Sequence, residues 1–112
     1  MSDGIVVPIL DPQPLRALEV GSPGISAAVL AVYERDLRAF VAQLPILVQG
    51  GDVELVRRAA HKLKGSSAAI GARQVQGDAT TLERDCRDAG RIAGDLVAAL
   101  LRSAEAFLSR PG

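Results

Sequence analysis

From residue 11 onward, apolar residues return at steps of three and four, the spacing that gathers them on one face of an α-helix. Asp11-Pro12 reads as a helix start, with aspartate as N-cap and proline at the first helical position. Leu15 and Leu18 give that short helix its apolar face, and Gly21 stops it. Ser22-Pro23 repeats the start signal, and Val29, Tyr33, Leu37, Phe40 or Val41, and Leu44 then form a longer stripe. Pro45 is expected to kink or end this helix, because it lacks an amide donor and clashes with the preceding turn. Gly50-Gly51-Asp52 makes a turn, with Asp52 capping a third helix over about Val53–Ile70 that Gly71 ends. Val75, Ala79, Leu82, Cys86 and Ala89 predict a fourth helix stopping at Gly90. Ala93, Leu96, Leu100, Ala104 and Phe107 predict a last one over about Arg91–Ser109.

No segment alternates as a strand would. Four long amphipathic helices joined by short loops bury their stripes only against one another. The expected fold is therefore all-α, an antiparallel four-helix bundle with a short additional N-terminal helix lidding one end. The bundle domain spans residues 11–110, and residues 1–10 form a lead-in, loose or docked, in which Pro8 separates Ile5–Val7 from Ile9–Leu10.

Composition narrows the function. The chain has 112 residues, 48% of them apolar and 23% charged, enough for one domain with its own core. Thirteen Lys and Arg balance thirteen Asp and Glu, so no global field draws it to nucleic acid or to a membrane surface. One cysteine, Cys86, and one histidine, His61, exclude an internal disulfide and do not complete a zinc site; Cys86 lies on an apolar stripe and reads as core. The single thiol suits the reducing cytoplasm. Asp3 stands where a signal peptide needs positive charge, and no apolar h-region follows it. The longest uncharged stretches, Val20–Tyr33 and Ala39–Gly51, contain Pro or Gly and fall short of the roughly 20 apolar residues that span a bilayer. Direct membrane contact is not expected; a membrane anchor would belong to another part of a longer chain.

The histidine holds the most specific signal. On an ideal helix with His61 at zero, Val56, Ala59, Leu63 and Ile70 fall at about 220°, 160°, 200° and 180°, so the core stripe lies opposite and His61 faces solvent. Ser66 and Ser67 flank the stripe, where small side chains permit close helix packing. Arg57, Lys64, Gly65 and Ala68 lie within about 60° of the histidine. A packed histidine is excluded by this geometry, whereas an incidental exposed one is not. Gly65 is the second clue: a glycine inside a helix costs about 1 kcal/mol relative to alanine, and here it faces outward. Its missing side chain gives clearance for another protein's backbone, and Ala68 keeps the same track low. Between Arg57 and Arg73 the chain has five basic residues and no acidic one. A cationic rim around an imidazole suits a phosphoryl anion, although a solvated basic face explains Arg58, Lys62 and Arg73 equally well. No aromatic residue accompanies the patch, which argues against nucleic acid.

His61-Lys62-Leu63-Lys64-Gly65-Ser66-Ser67, with Gly71 closing the helix, resembles the H-x-L-K-G-S signature of histidine-containing phosphotransfer (HPt) domains. The Gly51-Asp52 turn and Arg58-Ala59-Ala60 are also similar to the family, and the likeness is strongest from about Gly50 to Gly90. The resemblance implies a bundle that relays phosphate in two-component signalling. His61 would accept a phosphoryl group from an aspartyl phosphate on one response-regulator receiver domain and pass it to the aspartate of another. Lys64 would stabilise the phosphoryl charge, and Arg57, Arg58, Gly65, Ala68, Glu83 and Arg87 would form the partner-binding face. The receiver would supply the aspartate and its Mg²⁺, so no metal site and no cofactor are expected on this chain. No glycine-rich nucleotide loop is present, and autokinase activity is not expected.

Such domains occur free-standing or at the cytoplasmic C-terminus of hybrid sensor histidine kinases. A monomer is expected, with no nucleic-acid partner. Where relatives often offer a glutamine from the following helix, this chain has Glu83. It can accept the Nδ1 proton of His61 and leave Nε2 free, or form an i,i+4 ion pair with Arg87. Gly77 has no assigned purpose. The alternative function is a non-catalytic helical docking module for a receiver or a regulated enzyme. A purely structural bundle leaves Gly65 and the charge asymmetry unexplained.

Overall fold

A computed structural model describes residues 7–111, which form five helices and, among these residues, no strand. They are α1 (Gln13–Gly21), α2 (Ile25–Gly50), α3 (Val53–Ile70), α4 (Arg73–Ala89) and α5 (Gly94–Leu108). The four long helices make an antiparallel bundle in which α3 packs most extensively on α4, and α5 closes the ring against α4 and α2. Helix α1 lies across α2 and α3 at one end. No helix among the described residues is long and apolar enough to cross a membrane. The first part of the lead-in, residues 1–6, lies outside the described residues; Ile9 and Leu10 pack against the core.

Helix α3 carries the histidine and follows its local signals closely. The Asp52 carboxylate accepts from the amides of Glu54 (3.1 Å) and Leu55 (3.2 Å), and Gly71 closes the helix at φ +90°. Its buried residues are Val56, Ala60, Leu63, Ser67 and Ile70. Expected in the stripe, Ala59 is only half-buried, and Ala60 and Ser67 replace it as fully buried positions. The reason is that α3 packs on α2 as well as α4, so its buried arc is wider than one stripe. Tyr33 of α2 bonds the Ser67 hydroxyl (2.7 Å), satisfying both buried groups, and its ring meets Phe107 of α5 edge-on at 5.1 Å.

Three boundaries differ from the sequence pattern. Helix α2 starts at Ile25, not at Ser22-Pro23, because its cap comes from another helix. Glu19 of α1 accepts from the amides of Gly24 (2.6 Å) and Ser26 (3.2 Å) and from the Ser26 hydroxyl (2.7 Å). Pro45 does not end α2, which continues to Gly50. The exposed proline ring costs one intrahelical bond, while Leu44 is buried and Leu47 and Val48 pack on the core beyond it. Helix α5 starts at Gly94 rather than near Arg91, with Ala93 in an extended conformation before it, and Ala89 at the end of α4 is exposed.

The chain before α1 is tied to the α3–α4 turn. The Asp11 amide donates to the Gly71 carbonyl (2.8 Å), and the Arg73 guanidinium reaches the Asp11 carboxylate at 3.1 and 3.3 Å. Gln74 donates to the Val7 carbonyl (2.8 Å). Asp11 also accepts from the Gln13 amide (3.0 Å), but Pro12 rather than Asp11 takes the N-cap position, and α1 begins at Gln13.

Candidate functional site

His61 stands on the outer face of α3 with 62% of its side chain exposed. Its Nδ1 lies 2.5 Å from Oε2 of Glu83 on α4, a carboxylate whose side chain is only 8% exposed. The other oxygen, Oε1, accepts from Nζ of Lys64 at 2.6 Å. One buried carboxylate thus holds the histidine and the lysine one turn away on the same helix. An ionised carboxylate only accepts hydrogen bonds, so in the neutral imidazole Nδ1 carries the proton and Nε2 keeps its lone pair. Lys64 and His61 hold the Glu83 carboxyl below the usual carboxylate range, against the opposing effect of burial.

Arg57 approaches the same carboxylate, with Nη1 3.9 Å from Oε2. Its main partner is Glu54, bound through two contacts of 2.7 Å, and Arg58 reaches Glu54 at 3.1 Å. Glu54, with its carboxyl lowered to about 2 first by Arg57, therefore tethers the basic rim. Sequence reasoning missed it because the count of basic residues began at Arg57; its spacing of three and four residues before the arginines was the available signal. Of the two arrangements open to Glu83, the structure has the inward one. Arg87 turns instead to Asp88 at 3.0 Å, and Glu83 is buried rather than part of an open partner face.

Gly65 is exposed, and a Cβ added there would meet nothing within 4 Å among the described residues, none of which requires the glycine. Ala68, one turn on, is half-buried. Gly77 is likewise exposed and uncrowded, and nothing in the structure explains it. Hollows of about 370 and 340 Å³ open elsewhere, one beside Val7, Gln74 and Ser103, the other along Phe40 and Ala59; His61 lines neither. The imidazole is presented on an open helical face. Among the described residues no three His, Cys, Asp or Glu side chains are grouped to hold a metal ion. Chemically the arrangement offers one nucleophilic nitrogen, adjacent cations and room for a macromolecular partner.

The Hpt domain family matches this chain over residues 28–109. The crystal structure of histidine-containing phosphotransfer protein B (HptB) from Pseudomonas aeruginosa PAO1 is similar, with a TM-score of 0.82 and 25% identity, covering 92% of this chain and 90% of that one. No curated protein matches the chain.

Proposed function

The chain belongs to the Hpt domain family, with a histidine phosphotransfer role in phosphorelay, and from that premise we propose the course of the relay and the residues that carry it. His61 is the phosphoacceptor. The Nε2 lone pair attacks the phosphorus of a receiver's aspartyl phosphate, the P–O bond breaks, and its electron pair returns to the receiver carboxylate. In the onward step, a second receiver's aspartate attacks the phosphorus and the N–P bond breaks. The observation that carries this reading is the pairing of an exposed imidazole with a buried Glu83 at Nδ1, which directs Nε2 to solvent.

Phosphoryl transfer chiefly requires in-line positioning and charge neutralisation, and the surrounding residues suit both. Lys64 swings from Glu83 to the phosphoryl oxygens, and Arg57 and Arg58 contribute positive potential on the approach side. Gly65 and Ala68 leave the helix surface low, so that the receiver's loops can reach the ring. The receiver brings the aspartate and Mg²⁺. The domain acts as a cytoplasmic monomer, free-standing or as the terminal module of a sensor kinase.

Incubation with a phosphorylated receiver tests this. The expected result is acid-labile, alkali-stable label on this chain that disappears in His61→Gln. Label that persists in the variant overturns the assignment. Receiver or enzyme binding that is unchanged in His61→Ala, with no transfer, would make the chain a docking module instead.

A further inference from the structure

Resting on the phosphorelay reading, we infer that Glu83 does more than aim the ring: its charge keeps the Nδ1 proton in place after phosphorylation, making phospho-His61 a fast but short-lived donor. When a receiver aspartate attacks the phosphorus, the N–P electron pair returns to Nε2. With a proton on Nδ1, neutral imidazole leaves. Without it, imidazolate must leave, a far more basic anion and a much poorer leaving group. A phosphorylated ring that loses its Nδ1 proton to solvent is therefore a stalled donor.

The geometry opposes that loss. The acceptor 2.5 Å from Nδ1 is a carboxylate, and its burial lets its charge act through a medium of low polarisability. Before phosphorylation Oε1 also accepts from Lys64 at 2.6 Å, so the carboxylate is already aimed at the ring when the phosphoryl group arrives. Lys64 and His61 keep the carboxyl in its charged form. The other groups facing it do not reverse this effect. From α3, Arg57 is 3.9 Å away and engaged by Glu54; from α4, Arg87 is turned to Asp88, and burial keeps the Cys86 thiol protonated. Phosphorylation at Nε2 also draws Lys64 toward the new anion, which leaves the imidazolium as the principal partner of Glu83.

Glu83→Gln separates charge from position, because a glutamine carbonyl still accepts from Nδ1 but carries no charge. Wild type, Glu83→Gln and Glu83→Ala are phosphorylated with phosphoramidate, a small donor that needs no receiver, and hydrolysis of the phosphohistidine is followed from about pH 5 to about pH 9, the range around the imidazole transition. Near neutrality the label on Glu83→Gln should persist about tenfold longer than on wild type, the ratio that corresponds to one lost charge-assisted contribution of about 1.4 kcal/mol. Transfer to a receiver should slow in parallel. Nitrogen NMR of the unphosphorylated proteins should show the Nδ1–H tautomer in wild type and Glu83→Gln, with a shift toward Nε2–H in Glu83→Ala. Superimposable hydrolysis profiles in wild type and Glu83→Gln would overturn the inference and leave Glu83 as a positioning residue only. A phosphorylated wild type that passes phosphate to no receiver would overturn the relay reading instead, and the hydrolysis comparison would still stand.

Discussion

Replacing Gly71 by alanine should do more damage than the same change at Gly51, although both glycines close a helix at positive φ, +90° and +70°. A Cβ at Gly51 meets nothing within 4 Å among the described residues, so only the left-handed backbone is penalised, at about 1 kcal/mol. At Gly71 the same Cβ would overlap the Asp11 carbonyl and come within 3.3 Å of Pro14 Cδ. The strap before α1 must then lift away, losing the amide bond from Asp11 to the Gly71 carbonyl and loosening Leu10 and Leu15 from the core. The hydrogen bond contributes about 1 kcal/mol. Partial exposure of two leucines adds about 1 kcal/mol more. The totals are about 3 kcal/mol for Gly71→Ala and about 1 kcal/mol for Gly51→Ala. In a domain of this size these correspond to about 12 °C and about 4 °C of melting temperature. Thermal and urea unfolding followed by circular dichroism measure both variants, and amide exchange at Asp11 reports the strap. Equal losses in the two variants, with Asp11 still protected, would show that the strap does not constrain residue 71.

Other consequences are open to direct measurement. Tyr33→Phe leaves the buried Ser67 hydroxyl without its partner and should cost about 1–2 kcal/mol, part of which adding Ser67→Ala restores in a double-mutant cycle. Burial pushes the Tyr33 hydroxyl from 10.0 up to about 12, so the stabilisation present below pH 10 is lost as pH rises toward 12. Alkaline unfolding of Tyr33→Phe should lack that step. The Gly24 amide, with the Ser26 hydroxyl and amide, holds the Glu19 carboxyl below its unfolded value of 4.5, so its contribution is present above that pH and lost as pH falls. Glu19→Gln should be less stable at neutral pH yet lose less on acidification, and a parallel acid curve would contradict the capping role. Lys64→Ala should slow phosphotransfer about tenfold through one lost charge-assisted contact. Because Lys64 also pairs with buried Glu83, its melting temperature should fall by a few degrees, while Lys64→Arg keeps most of both. Unchanged transfer kinetics in Lys64→Ala would remove the lysine from the mechanism.

What could be read from the chain alone was local. Both ends of α3 are set by residues at the ends themselves, Asp52 and Gly71, and the outward aspect of His61 follows from helical spacing. The start of α2 was misplaced because its cap, Glu19, belongs to the preceding helix and lies seven residues before Ser26. Pro45 carries a strong local stop signal, and the apolar residues on both sides of it outweigh one missing hydrogen bond. At the site, His61 and Glu83 are separated by 22 positions in sequence. Spacing along α4 left Glu83 equally able to meet Arg87, and only the packing of α3 on α4 brings it under the imidazole. Ala60 was missed in the same way, and Ser67, placed at the edge of the stripe, is fully buried, since the width of a buried arc depends on how many neighbours a helix has.

With Glu83 on Nδ1, Nε2 of His61 is the atom left to carry the phosphoryl group. Phosphorus and nitrogen NMR of the protein after transfer from a phosphorylated receiver identify the modified atom. Phosphate is expected on Nε2 of His61 alone; phosphate on Nδ1, or on another side chain, would mean that Glu83 does not direct the reaction.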